Sequence, residues 1–123
     1  MKLLLVMLGG SLGAASRYGV GLLAIKLWGT RFPWGTLTVN LVGCFLIGLL
    51  FALAERARWL TPEMRLLLIT GYLGALTTFS SFAMETVSAG RAGLTLLPLA
   101  NIVLNNLVGL SLTCCGLWIG GMK

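Results

Sequence analysis

The chain reads as an all-α integral membrane protein of four transmembrane helices. Its 123 residues are 58% hydrophobic and only 10% charged, and the apolar residues fall into four windows separated by short polar turns. A soluble domain carries about 25% charged residues, and a helix needs about 20 apolar residues to cross a bilayer. A mean hydropathy of +0.98 agrees with this. The four windows use up the chain, which is expected to form a single four-helix transmembrane domain over 1–123 with no extramembrane domain. Four helices also struggle to enclose a polar path while facing lipid, so self-association is expected.

The first window runs over 3–27 and ends at Trp28-Gly29. Lys2 followed by an apolar run resembles a secretory signal, but the apolar character continues to Leu27, so a retained helix is expected. Pro33 and Trp34 in the next turn suit a helix start and an interfacial depth. The second window covers 36–54. Thr61-Pro62-Glu63 reads as an N-cap with Pro at the first helical position, opening a third window over 64–89. Gly90-Arg91-Ala92-Gly93 turns the chain into the fourth, over 94–119.

A net charge of +6 would suit nucleic acid if it clustered on one face, but the basic residues lie between the spans. That is the distribution of headgroup anchors, and no nucleic-acid partner is expected. Lys2, Arg56, Arg58, Arg65 and Lys123 fall on one side, and Lys26, Arg31 and Arg91 on the other, with Arg17 inside a span. So slight an asymmetry barely specifies orientation, and the chain is expected to insert both ways and pair antiparallel. Cys44, Cys114 and Cys115 lie in apolar stretches as packing residues. With no His and no regular Cys spacing, neither a zinc site nor a disulfide framework is supported. No catalytic triad, phosphate loop or general base supports an enzyme.

The residues that carry chemistry are polar ones in apolar surroundings. The stretch GYLGALTTFSSF (71–82) places two glycines, two threonines and two serines inside the third span. Unpartnered polar groups cost several kcal/mol in hydrocarbon, and irregular backbone survives there only inside protein or along a cavity. Gly71, Gly74 and Thr77-Thr78 weaken the helix. An unwound segment would free the carbonyls of Gly74 and Thr77 for a small cation; the plainer alternative is a packing kink. Phe79 and Phe82 share a helix face around Ser80 and Ser81. Their positive ring edges could solvate an anion without trapping it, or the rings could simply pack. Arg17, in GGSLGAASRYG, marks a functional site or snorkels toward the headgroups. Asn40 either glues helices or donates its amide N–H to a desolvated anion. Asn101, Asn105, Gly109 and Thr113 recur every four residues as one polar stripe, with Asn106 and Ser111 off it. Glu85 sits one turn beyond Phe82, placed to meet a basic residue.

Taken together, GGSLGAASRY (9–18), TLTVNLVGCFLIG (36–48) and GYLGALTTFSSFAMET (71–86) resemble the Fluc (CrcB-type) fluoride channel family, with the fourth span matching by pattern more than by motif. The resemblance implies an antiparallel dual-topology homodimer in the bacterial inner membrane, exporting fluoride passively through two pores and holding a structural sodium ion on its axis. By position it implies that Phe79, Phe82 and Asn40 line the pores, that Arg17 guards a vestibule, and that the backbone carbonyls of Gly74 and Thr77 bind sodium. Ser80, Ser81, Asn101, Asn105 and Thr113 would supply further hydrogen bonds to replace the water of a small, strongly hydrated anion. Asn101 and Asn105 stand where members of that family can carry Tyr or Ser. A small multidrug-type exporter is the alternative, but it needs a membrane-embedded carboxylate to exchange protons, and the first span carries Arg17 instead.

The weak charge bias makes a direct prediction. A cysteine placed at Ser88 should be labelled by an impermeant thiol reagent from both sides of the membrane; labelling from one side alone would reject mixed insertion.

Overall fold

A computed structural model describes residues 1–122, so Lys123, counted above among the charges of one membrane side, lies outside the described residues. Among the described residues, four helices are long and apolar enough to cross a membrane: Lys2–Trp28, Trp34–Ala54, Pro62–Arg91 and Leu96–Gly121. They form a bundle in which the first packs on the third and the second on the fourth. Where these bounds depart from the sequence windows, local hydrogen bonding gives the reason.

The second helix starts at Trp34 rather than Thr36, because the Pro33 carbonyl already accepts from the Leu37 N–H at 3.1 Å. Thr61 caps the third helix as expected, its hydroxyl accepting from the Met64 N–H at 3.3 Å, with Pro62 at the first helical position. The same helix ends in a Schellman closure. Gly93 takes φ +79°, its N–H reaches the Gly90 carbonyl, and the Leu94 N–H reaches the Ala89 carbonyl. Leu94 is thereby spent on ending one helix, so the next begins at Leu96.

The backbone of the third span is not uniform. Leu66–Leu73 winds as a π-helix, Gly74–Leu76 returns to α, and Phe79–Arg91 is α again. Between them Thr77 (φ −81°, ψ 156°) and Thr78 (φ −153°, ψ 117°) are extended. A second π-helical turn, Leu104–Val108, lies in the fourth span. Such turns recur at functional sites.

Tight packing comes from glycine. A Cβ on Gly9 or Gly13 would collide with the Leu67 and Tyr72 carbonyl oxygens, and one on Gly71 with the Val6 carbonyl. The small-residue spacing of the first helix thus buries against the π-helical stretch. A second seam, which the sequence windows did not single out, joins the second and fourth helices. A Cβ on Gly48 would meet the Thr113 carbonyl, one on Gly116 the Phe45 carbonyl, and one on Gly120 the Leu49 carbonyl. Lipid supplies no hydrophobic drive between helices, so close backbone approach is what holds them.

The charged loops do more than anchor to headgroups. The Arg56 guanidinium donates to the carbonyls of Gly120, Gly121 and Met122, and Arg65 donates to those of Leu60 and Ala54. Arg56 at the end of the fourth helix, and Arg65 at Ala54, satisfy orphan C-terminal carbonyls, where a helix dipole favours a cation.

Gly116→Ala should destabilise the fold by about 1–3 kcal/mol, because backbone rather than a flexible side chain stands in the way. Gly121→Ala, with nothing near its Cβ, should be neutral. Equal melting temperatures for the two variants in detergent would contradict the glycine seam.

Candidate functional site

The site is organised by the extended pair Thr77-Thr78. In a continuous α-helix the Thr78 N–H would bond to the Gly74 carbonyl. Here it donates to Asn40 Oδ1 at 2.8 Å, while Asn40 Nδ2 donates back to the Thr78 carbonyl at 3.1 Å. Asn40 therefore presents one donor and one acceptor to a single residue, as a neighbouring β-strand would. The exchange satisfies both backbone groups of Thr78, which is 8% exposed, and deprives the Gly74 carbonyl of its helical donor. Gly43 makes the approach possible, since a Cβ there would strike Thr77 Cγ2.

The helix restarts immediately. The Thr78 hydroxyl accepts from the Ser81 N–H at 3.2 Å, a side-chain N-cap, and lies 3.1 Å from Ser81 Oγ and 3.3 Å from Ser80 Oγ. Phe79 and Phe82 follow with ring centroids 5.4 Å apart and planes tilted by 56°. The pair is asymmetric: Phe82 is 8% exposed and Phe79 77% exposed. Phe79 presents its ring outward from the chain.

The second Asn40 N–H donates to Asn105 Oδ1 at 2.9 Å. Asn105 Nδ2 reaches Asn101 Oδ1 at 2.9 Å and the Asn101 carbonyl at 3.0 Å. Asn101 Nδ2 reaches Thr86 Oγ1 at 2.9 Å, and the Thr86 hydroxyl donates to the Phe82 carbonyl at 2.7 Å. The expected stripe on the fourth span thus faces protein, while Asn106 and Ser111 are exposed and bond within their own helix. Thr113, at the stripe's far end, shares its hydroxyl between the Cys44 carbonyl at 3.0 Å and that of Gly109 at 3.1 Å.

Two clefts flank the extended pair. One, of about 370 Å³, is lined by Asn40, Thr77, Thr78, Phe79, Phe82 and Asn105 among others. The other, of about 360 Å³, is lined by Arg17, Tyr18, Thr36, Thr78 and Ser81 with small residues of the first two helices. Thr78 lines both. Beyond Thr36 a third cleft of about 490 Å³ includes Arg31, Glu85 and Ser88. Among the described residues, Glu85 meets no basic partner. Its Oε1 accepts from the Thr36 hydroxyl at 2.6 Å, and Oε2 is buried without a hydrogen bond. Sequence order hid Thr36 as a partner, since it lies 49 residues away.

The structure therefore brings Asn40, Thr77, Phe79, Ser80, Ser81, Phe82 and Asn105 together around Thr78 and places Arg17 across it. Asn101 is fully buried behind them, and Thr113 lies apart on the seam between the second and fourth helices. Thr78 is the residue that sequence reasoning undervalued, grouped with Thr77 as a helix weakener. Its signal was the Thr-x-x-Ser spacing to Ser81, a capping pattern inside an apolar span.

Fold and site define a multi-pass helical membrane protein with a polar, hydrogen-bonded seam at the depth of its spans. Comparison with known proteins gives the family. Residues 4–117 match the family described as CrcB-like protein, Camphor Resistance (CrcB). A Salinibacter ruber protein named fluoride-specific ion channel FluC is 47% identical over 118 residues, covering 94% of this chain and 86% of its own. Proteins of the same name from Agrobacterium fabrum and Dehalococcoides mccartyi are 44% and 40% identical, each over 98% of this chain and over 96% and 93% of their own. The chain belongs to the CrcB-like family. That membership does not favour the multidrug-exporter alternative.

Proposed function

We propose that this chain is a fluoride-selective ion channel of the bacterial inner membrane, passing fluoride down its electrochemical gradient and so relieving the cell of it. The observation that carries the ion path is the meeting of two clefts at Thr78, one beside Arg17 and one beside Phe79 and Phe82. The anion itself comes from the relatives, whose names specify fluoride. Arg17 sets a positive potential at the vestibule. Ser80 and Ser81 replace water by short hydrogen bonds, while Asn40, whose two N–H groups are taken by Thr78 and Asn105, holds the turn rather than the ion. The Phe82 and Phe79 ring edges hold the ion weakly enough to release it. Nothing in this scheme needs a bond made or broken, so the protein acts as a channel and not as an enzyme.

The outward ring of Phe79, and a first helix whose long side chains are mostly exposed, fit a second copy of the chain completing the pore wall. We place that copy antiparallel, in keeping with the slight charge bias, which gives a dual-topology homodimer with two pores. The third span serves there as a broken helix. The Gly74 carbonyl, denied its helical donor by Asn40, and the Thr77 carbonyl beside the extended turn are hard oxygen donors of the kind a sodium ion prefers. Symmetry would double the set at the two-fold axis. Sodium held there would supply positive charge and cross-link the two copies.

Purified protein in liposomes should release fluoride when a potassium ionophore sets the voltage, with chloride nearly excluded. Obligatory exchange for a counter-ion would end the channel reading. Phe79→Ile and Phe82→Ile keep apolar bulk but lose the ring edge, so flux should fall by about tenfold or more, the loss of roughly 1.4 kcal/mol or more of ring-edge stabilisation. Wild-type flux in both folded variants would return the rings to packing.

A high-resolution structure of the dimer in sodium should show one ion on the axis, bound only by main-chain oxygens of Gly74 and Thr77. An axis closed by side chains, with no ion, would remove sodium from the proposal.

A further inference from the structure

We propose that Asn101 and Thr86, reached through Asn105, complete a one-way hydrogen-bond ladder that positions the extended turn and the Phe82 carbonyl, without themselves contacting the conducted ion. This rests on the channel reading of the same site. Followed donor to acceptor, the chain of bonds runs from the Thr78 N–H to Asn40, from Asn40 to Asn105, from Asn105 to Asn101, from Asn101 to Thr86, and from Thr86 to the Phe82 carbonyl. Every amide accepts on oxygen and donates from nitrogen in the same sense. The ladder leaves the third span at Thr78, crosses the second and fourth, and returns to the third at Phe82. It therefore staples the first turn of the restarted helix to two neighbours.

Three observations separate this role from lining an ion path. Asn101 has no exposed surface, and neither it nor Thr86 lines the cleft at Thr78. Both Asn40 N–H groups are already given to protein acceptors. Asn105 does line that cleft, but its nitrogen is turned toward Asn101. A hydroxyl can rotate to reverse its bond, whereas an amide must turn over entirely, which would set nitrogen against nitrogen or oxygen against oxygen. Aligned bonds of this kind also polarise one another. Asparagine at 101 and 105 thus fixes a direction that hydroxyl side chains at those positions would leave free.

The test exploits the isostere that cannot donate when ionised. In Asn101→Asp the carboxylate still accepts from Asn105 but gives nothing to Thr86, whereas the protonated acid restores the donor. Two titratable groups adjoin the ladder: Cys44, which shares a cleft lining with Asn105, and Glu85, which precedes Thr86 in sequence. Both are present in the wild type, whose profile corrects for them. Melting temperature and fluoride efflux are measured from about pH 5.5 to about pH 8.5, a range that brackets a carboxyl pKa raised by burial.

At the alkaline end Asn101→Asp should melt lower than wild type and conduct about tenfold more slowly, the cost of one orphaned buried group. Its half-saturating fluoride should stay unchanged, and both deficits should recover on acidification. Thr86→Val should lower maximal flux at every pH, while Thr86→Ser should match wild type. Wild-type behaviour of Asn101→Asp throughout would overturn the ladder, as would a shifted half-saturation with normal melting. If Asn101→Asp fails to fold, equal flux and melting in Thr86→Val and Thr86→Ser would overturn it instead. A wild type that carries no fluoride would reject the channel reading, and the melting profiles alone would then decide the ladder.

Discussion

The rest of this structure depends on the reciprocal bonding of one side-chain amide to one backbone residue. Extended backbone at the depth of a bilayer exposes an N–H and a C=O that hydrocarbon cannot satisfy. Asn40 answers both at Thr78. Glutamine is too long to fit the same span unchanged, and serine or threonine offers a single oxygen in place of an amide's separate ends. Once Thr78 is held, the following residues gain an N-cap, Phe79 and Phe82 are turned to opposite degrees of exposure, and the preceding Gly74 carbonyl is released. A local departure from helix, otherwise a liability, becomes the feature around which polar groups collect.

Holding that geometry requires rigid neighbours, and glycine supplies them. The first helix closes on the π-helical stretch through Gly9, Gly13 and Gly71, and the second closes on the fourth through Gly48, Gly116 and Gly120. Asn40 lies on the second helix, and its ladder partners Asn101 and Asn105 lie on the fourth. The seam that brings those helices to backbone contact also sets the register at which the amides meet. Packing and polar chemistry are thus one arrangement seen from two sides.

Much of this was legible in the sequence because membrane physics makes polar residues conspicuous. Four apolar windows gave the four spans, and Thr61-Pro62 gave a helix start that the Thr61 hydroxyl bears out. Asn40, the Thr77-Thr78 pair and the fourth-span stripe stood out as costly in lipid. Their mutual arrangement did not, because Asn40 and Thr78 are 38 residues apart and spacing along one helix says nothing about which face of another it meets. For the same reason the partner of Glu85 proved to be Thr36. Gly116 and Gly120 carried the small-residue spacing but were passed over beside the more conspicuous asparagines. Arg56 reads in the sequence as any loop cation, because the carbonyls it reaches lie 64 to 66 residues further along the chain.

The seam between the second and fourth helices also imposes an order on synthesis. The second helix leaves the ribosome before the third and fourth, yet the surface that its Gly48 opens is filled by the fourth. Until then the growing chain carries an empty backbone-deep groove, and Asn40 faces that groove with part of its bonding capacity unused. The carbonyls that Arg56 clasps belong to residues 120–122, made later still. The nascent protein is therefore an incomplete receptor for its own fourth helix. Until the fourth helix arrives, that place stays open to the surrounding lipid.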